Sequence, residues 1–370
     1  MNRCTICVTP DSYPGLTLNT DGVCNHCEEY FKLYGDWRSS KAERKASFEK
    51  FVTIAKRRSR SYDALVPLSG GKDSTYVLYL ASKVYKLRVL CYTFDNGFQS
   101  DVAKENIRAA AHASGADLVT YRPNPDMMMS LYRHFLKHAG MFCPVCMRGI
   151  TAGEFMISDT FDVPLVLKGT SRRTEERLAP EIFQDGNISF FRKVLKQHPF
   201  DGNVGALLYD RSLWGKLQRG MFLLSRGRLR TGRIDLYMPD YFEWNYAEIF
   251  RVISQEMGWK RLPDRDEHID CIAEPLVHYY IREQKIPELT QSTLRYSAEI
   301  RDGQMTREDA LRIVEQERQE RKSPKETTPV LERLGITEEA LATCVDHGVR
   351  HAQFQPSGLV TKIRARLRQL

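Results

Sequence analysis

The sequence predicts an α/β fold: a parallel sheet wrapped on both faces by helices, with a cysteine knuckle before it and a helical region after it. Three observations carry that expectation. Apolar β-type runs alternate with helix-compatible runs between Ala64 and Lys168, the pattern of parallel strands joined by crossover helices. The first of those runs stops abruptly at Ser69-Gly70-Gly71 and a helical stretch begins at once, so a strand, a glycine turn and a helix N-terminus follow in order. Near the start of the chain, Cys4, Cys7, Cys24 and Cys27 form two C-x-x-C pairs.

The knuckle comes first. Pro10, Pro14-Gly15 and Asp21-Gly22 separate its cysteines, so residues 1–30 make two short loops joined by turns. So little apolar area cannot hold a fold together, and a zinc ion bound by the four thiolates is the expected source of stability. Four thiolates leave no open coordination position, which makes that zinc structural. A charged helical segment from Asp36 to Arg60 leads to the first strand, Ala64 to Leu68. Beyond the glycine turn the pattern predicts a helix from Ser74 to Leu87, then a strand from Arg88 to Phe94 that ends at Asp95-Asn96-Gly97. A helix from Ser100 to Ser114, a short strand from Asp117 to Tyr121 and a further strand from Pro164 to Lys168 follow, the last closed by Gly169-Thr170-Ser171.

Ligands of such a sheet sit beyond the carboxyl ends of its strands, where the glycine turn, Phe94 to Gly97 and Gly169 all fall. Amides at a helix N-terminus point at whatever anion lies in the turn, and Gly70 and Gly71 let the backbone approach closely, so phosphate is the natural guest. Lys72 adds a solvent-facing cation, and Ser69 and Ser74 add hydroxyl donors. The run Arg172-Arg173-Thr174-Glu175-Glu176-Arg177 reads either as a phosphate clamp or as a solvated helix start.

Composition narrows the class further. With 370 residues, 42% hydrophobic and 28% charged, the chain reads as a globular protein with one large domain and appendages. It has no apolar run approaching the ~20 residues that span a bilayer, and Met1-Asn2-Arg3-Cys4 does not open a signal peptide, so a cytoplasmic location is expected. A net charge of +8 suits an anionic partner. In that setting nine cysteines point to metal or catalysis rather than disulfides, with Cys91 and Cys344 read as small buried hydrophobes. From Arg192 to Arg233 ten Lys/Arg face only Asp201 and Asp210, interleaved with apolar residues such as Trp214 and Phe222. That stretch fits a phosphate backbone, a membrane surface or a packed helical hairpin.

The spacing of Ser69-Gly70-Gly71-Lys72-Asp73-Ser74 is not that of a Walker A loop. It resembles, at all six positions, the pyrophosphate-binding loop of the PP-loop ATP pyrophosphatase superfamily. The resemblance implies an adenine nucleotide alpha hydrolase-like sheet and an enzyme that cuts ATP between the α and β phosphates, passing AMP to a substrate oxygen. It implies that ATP is held by Pro67, Leu68, Ser69, Gly70, Gly71, Lys72, Asp73 and Ser74. Phe94, Asp95 and Gly97 would border the adenosine, and Gly169 and Thr170 would cover the nucleotide from the other side. Lys72 and Asp73 are the catalytic expectations in the loop, Asp73 orienting it or holding Mg2+.

A third C-x-x-C, Cys143-Pro144-Val145-Cys146, lies between the third and fourth strands, and Cys271 supplies another thiol. Such a set can ligate an iron-sulfur cluster, act as a redox-active sulfur carrier or form half a zinc site. Three thiolates on a 4Fe-4S cluster would leave one iron open, an arrangement that resembles the tRNA 2-thiolation branch of the PP-loop enzymes. Other segments resemble the N-acetyl sugar amidotransferase group, which acts in surface polysaccharide and nonulosonic acid synthesis. They are Cys4 to Leu16, Asp21 to Cys27, Cys143 to Ile150, Tyr241-Phe242-Glu243-Trp244, Gly258-Trp259-Lys260, Ile300-Arg301-Asp302-Gly303 and Arg307 to Leu311. Where that group carries Gly-Glu-Asn after its strand, this chain has Gly169-Thr170-Ser171.

The main expectation is therefore an ATP-dependent enzyme that adenylates a carbonyl oxygen and replaces it with nitrogen on an N-acetylated sugar. The alternative is a sulfurtransferase using Cys143, Cys146 and Cys271. ATP, Mg2+ and Zn2+ are the expected cofactors, with a 4Fe-4S cluster in the alternative. Expected partners are a separate glutaminase subunit supplying ammonia, or a sulfur donor, together with an anionic acceptor, either a sugar nucleotide or tRNA; a homodimer is the remaining expectation. The domain expectations are a knuckle at 1–30, the nucleotide-binding domain at 31–190, a basic insertion at 191–235, a continuation with the acceptor region at 236–315 and a helical tail at 316–370.

Overall fold

In the computed structural model the described residues are 2–171, 173–175, 188–209, 233–262, 270–283 and 286–351. Five parallel strands form one sheet in the order β3-β2-β1-β4-β5. They are β1 (Ala64–Pro67), β2 (Val89–Phe94), β3 (Asp117–Tyr121), β4 (Leu165–Lys168) and β5 (Ile234–Tyr237). The chain runs outward from β1 to β2 and β3 on one side, then returns to place β4 and β5 on the other. The order reverses between β1 and β4, and a crevice opens there at the carboxyl ends of the strands. Residues that follow β1 and β4, including the glycine turn and Gly169, fall at that point.

All six residues of β2 are buried, as a central parallel strand with helices on both faces requires. Alternation splits the sheet between two cores. Leu65, Leu90, Tyr92, Phe94 and Val166 pack on one face with α5 (Pro125–Ala139) and α6 (Cys143–Thr160). Val66, Val89, Cys91, Leu165 and Leu167 pack on the other with α2 (Lys41–Arg58), α3 (Lys72–Tyr79) and α8 (Tyr246–Glu256). Helix ends follow the sequence: Ser100 caps α4 (Asp101–Ser114) through its hydroxyl and Gly115 closes it at φ +67°.

Three elements differ from expectation. The segment read as one helix from Asp36 to Arg60 is α2 alone, preceded by α1 (Asn25–Tyr34), which starts inside the knuckle with Cys24 as its cap and ends at Gly35. The helix after the glycine turn starts at Lys72 and widens into a π turn over Leu80–Val84. Within the 191–235 segment, β5 begins at Ile234 and pairs with β4, and α7 (Ile188–Gln197) buries Phe191 against Phe135, ring centroids 4.8 Å apart. The described start of the basic stretch is thus a packed amphipathic helix; residues 210–232 lie outside the described residues, as do 352–370 of the tail.

The knuckle docks beyond the short α9 (Glu274–Val277), against α10 (Thr293–Arg301) and α11 (Arg307–Gln319). The Arg307 guanidinium donates to the carbonyls of Cys4 (3.0 Å) and Cys7 (3.2 Å), Thr9 and Ser297 share a hydroxyl hydrogen bond of 2.9 Å, and Arg3 donates to Glu288 O at 3.0 Å. Tyr13 packs with Ile286, Leu289 and Leu294. Two last helices, α12 (Thr327–Leu334) and α13 (Glu338–His351), pack on α5. No described helix is long and apolar enough to cross a membrane.

Candidate functional site

Gly70 is glycine for two independent reasons. Its φ is +87°, and a Cβ there would stand 2.5 Å from the Ala103 carbonyl oxygen on α4. Its own carbonyl accepts Trp259 Nε1 (2.9 Å) and Asn106 Nδ2 (3.3 Å), so the turn is pinned from two sides. Gly71 caps α3; its amide donates to Ser69 Oγ at 3.3 Å, and its carbonyl accepts the hydroxyls of Ser74 (3.2 Å) and Thr75 (2.8 Å). Leu68 is buried in the core and Pro67 is half-buried, leaving their backbone at the crevice. The result is a rigid, glycine-lined cradle at a helix N-terminus, shaped for an anion.

Lys72 departs from its expected solvent-facing position. Its side chain is only 10% exposed, with Nζ 3.1 Å from Asp73 Oδ2 and 4.7 Å from the centre of the Tyr246 ring. Carboxylate and ring face both attract the ammonium, and together they hold it at the turn until a more strongly charged anion competes. Asp73 is engaged at both oxygens, because its Oδ1 accepts the indole N–H of buried Trp244 at 2.7 Å. That favours orientation of the loop over metal binding. Gly169 lies on the same turn: a Cβ there would come 2.9 Å from the Asp73 carbonyl carbon, while Thr170 is exposed beside it.

At the end of β2, the Phe94 ring is buried against Tyr121 and Gly149, so only its backbone is presented to the crevice. Asp95 Oδ1 accepts the Gly97 amide at 3.0 Å, and its Oδ2 lies 3.4 Å from Arg122 Nε. Asn96 is the residue that sequence reasoning passed over as turn chemistry. Its Nδ2 donates to Cys146 Sγ (3.3 Å) and reaches Cys271 Sγ (3.8 Å), while its Oδ1 accepts the Phe98 amide at 2.8 Å.

Cys143 opens α6 and Cys146 follows one turn later, while Cys271 is brought alongside by an antiparallel bridge to Gln99. Burial pushes the Cys146 thiol up to about 11, and burial with Cys146 as neighbour raises Cys271 well above the usual thiol range. Thiols of that kind stay protonated near neutrality unless a bound cation favours the thiolate. These three sulfurs are set wider than a single-ion site, since among the described residues only the knuckle has three or more ligand atoms all within 4.8 Å of one another. Cys146 and Cys271 share the Asn96 amide, and thiols of this kind are the donor type that an iron-sulfur cluster uses. The adjoining Asp270 places a carboxylate oxygen 3.8 Å from where a Gly71 Cβ would be, so the thiol-bearing segment abuts the glycine turn.

The knuckle fits zinc in detail. Cys4 and Cys27 sulfurs are 3.8 Å apart, as are those of Cys7 and Cys24, and all four are buried. A tetrahedron with Zn–S near 2.3 Å has edges of ~3.8 Å. The amides of Ile6 (3.4 Å), Cys7 (3.5 Å) and Cys24 (3.3 Å) donate to Cys4 Sγ, and Arg301 Nη1 lies 3.9 Å from Cys27 Sγ, so excess thiolate charge is shared outward.

The run after β4 is corrected at Arg173. Instead of facing phosphate, its side chain is 1% exposed; the guanidinium donates to Pro239 O (2.8 Å) and Phe242 O (2.8 Å), pairs with Asp302 Oδ1 (2.5 Å) and stacks 3.9 Å from the Trp37 ring centre. Arg172, Glu176 and Arg177 lie outside the described residues.

With this geometry in hand, comparisons with known proteins add a family match over part of the chain. Residues 258–367 match the family described as LPS biosynthesis protein WbpG-like, C-terminal domain. An uncharacterized protein of Methanocaldococcus jannaschii is 24% identical over 170 residues, which is 45% of this chain and 58% of that protein. The chain therefore matches little more than half the length of that relative. Among solved structures, the U34-tRNA thiolase NcsA from Methanococcus maripaludis, with its 4Fe-4S cluster, aligns over 85% of this chain and 89% of its own at 14% identity and a TM-score of 0.30, too distant to carry an argument. What the chain is similar to, over its C-terminal third, is a lipopolysaccharide biosynthesis family.

Proposed function

We propose that the chain is an ATP-dependent enzyme that adenylates a carbonyl oxygen of an N-acetylated, nucleotide-linked sugar and replaces that oxygen with nitrogen. One observation carries the reading: a glycine cradle with its own lysine sits at the switch point of a parallel sheet. The WbpG-like match over residues 258–367 supports surface-polysaccharide chemistry for the acceptor.

In this reading the acceptor's carbonyl oxygen attacks the α-phosphate of ATP, and the bond to the bridging oxygen breaks. Pyrophosphate leaves against the Gly70 and Gly71 cradle and the Lys72 ammonium, which are already in place when charge develops. Mg2+ supplies charge balance on the phosphates. Ammonia then attacks the adenylated carbon and AMP departs with the oxygen, a far better leaving group than the bare oxide. A separate glutaminase subunit is the proposed source of ammonia.

A second reading, sulfur transfer to tRNA or another acceptor using Cys143, Cys146 and Cys271, is favoured by Cys146 and Cys271 meeting at Asn96 while Asp270, next to Cys271, abuts the glycine turn. A cluster on those thiols would supply an open iron that binds sulfide. Anaerobically purified protein is then expected to be brown and iron-loaded, and to bleach in each of Cys143→Ser, Cys146→Ser and Cys271→Ser. Colourless, iron-free protein would remove the cluster.

The deciding experiment supplies ATP and Mg2+ with nucleotide-linked N-acetyl sugars or unmodified tRNA, and with ammonia or sulfide, and reads the product by mass spectrometry. Exchange of oxygen for NH lowers the acceptor's mass, and exchange for sulfur raises it. We expect the lighter sugar product; sulfur incorporation with no nitrogen incorporation would reverse the two readings.

A further inference from the structure

On the outer side of the Asp95–Asn96–Gly97 turn lies a cavity of about 530 Å³ lined by Asp95, Gly97, Lys104, Arg108, Arg122 and Arg333. Four cations face one carboxylate there. They come from three separate places: Lys104 and Arg108 from α4, Arg122 from the end of β3, and Arg333 from α12. Lys104 and Arg108 are four residues apart on one helix face, where two like charges repel. Nothing in the packing of α4 calls for both, since its buried face is Ala103, Asn106, Ile107, Ala110 and Ala111.

Each protein partner satisfies only part of the set. Lys104 Nζ is 3.1 Å from Asp101 Oδ1, Arg122 Nε is 3.4 Å from Asp95 Oδ2, and Arg333 donates through Nη1 to Gly97 O at 2.8 Å. A guanidinium carries five donors in a planar fork, so each of these arginines keeps donors for a second, bidentate acceptor. Phosphate oxygens match that fork.

We propose that this cavity seats the diphosphate of the acceptor, a nucleotide-linked sugar, a subsite distinct from the glycine cradle that takes ATP; Asp95 and Gly97, expected to border the adenosine, then face the acceptor instead. The inference rests on the function proposed above. Position argues for it: the cavity and the thiols lie on either side of one turn, with Asp95 and Gly97 lining the first and Asn96 bonded to Cys146 and Cys271. A diphosphate held here is anchored one turn away from the place where activation and transfer meet. Size argues for it too, because a cavity of this volume suits a small ligand, whereas a nucleic acid strand is followed by an extended groove. Arg333 also falls inside the segment that matches the lipopolysaccharide biosynthesis family.

Uridine diphosphate is the probe, since its pyrimidine avoids an adenine site, and calorimetric titration is run with the full chain saturated with a non-hydrolysable ATP analogue. The expected result is one equivalent bound, displaced by inorganic pyrophosphate and weakened by salt. Arg108→Glu, at an exposed position, should weaken that binding by at least about tenfold while leaving the ATP analogue's affinity unchanged. Arg122→Gln provides the second variant and should weaken it in the same direction. Lys72→Ala separates the two ideas: it should impair the ATP analogue and spare uridine diphosphate, so the cavity is judged on uridine diphosphate even if the ATP reading fails. Direct competition between uridine diphosphate and the ATP analogue, wild-type affinity in both variants, or tRNA binding lost in Arg108→Glu without any uridine diphosphate binding would each overturn the proposal.

Discussion

Lys72→Ala should lower acceptor-dependent ATP–pyrophosphate exchange by roughly a hundred- to a thousandfold, the loss usual when one preorganised donor to a departing anion is removed. The effect is large because the other donors at the turn, backbone amides and the Ser69 and Ser74 hydroxyls, carry no net charge to replace the missing one. Lys72 is also paired with Asp73 and rests on Tyr246, so the substitution perturbs structure as well as chemistry. Lys72→Met separates the two, because its stem still covers the Tyr246 ring while the charge is gone. Both variants should lose exchange, and Lys72→Met should melt closer to the wild type. A folded variant that exchanges at the wild-type rate would remove the nucleotide assignment.

The second large effect belongs to the knuckle. Cys4→Ser/Cys24→Ser should lose bound zinc and destabilise the chain by about 5 kcal/mol or more, the range reached when a structural metal is lost. Damage should not stay at the N-terminus. Arg307 would lose the ordered carbonyls of Cys4 and Cys7, and Tyr13 would leave the small core it shares with Ile286, Leu289 and Leu294. Amide exchange should therefore quicken across α10 and α11 as well as residues 2–30, and zinc analysis with exchange mass spectrometry reads both. Full zinc content with unchanged protection of α11 would count against the assignment.

The sheet and the cradle were legible because their causes are local. A strand, a glycine turn and a helix start within eleven residues, Ala64 to Ser74, and the hydrogen bonds among Ser69, Gly71 and Ser74 lie inside that window. What holds the turn in place lies elsewhere. Trp244 and Trp259 belonged to segments recognised only as resemblances, and the structure gives each a task, one indole on Asp73 and the other on the Gly70 carbonyl. β5 escaped because four residues with one Asp carry almost no periodic signal, and its place at the sheet edge depends on β4 alone. Arg173 was misread because a charged run looks the same whether it is solvated or buried. Only the carbonyls of Pro239 and Phe242 and the carboxylate of Asp302 decide the matter, and they are 66 to 129 residues away.

The docking of the knuckle on α10 and α11 also imposes an order on biosynthesis. Cys27 leaves the ribosome long before Arg307 is made, an interval on the order of 15 to 60 s at ordinary rates of elongation. Throughout that time the four thiols have no Arg301 beside them and no Arg307 on their carbonyls. Any zinc bound during that interval would be bound by a short and exposed nascent loop. Without a metal the knuckle stays undocked through most of translation, and the first segment to be made is among the last to find its final place.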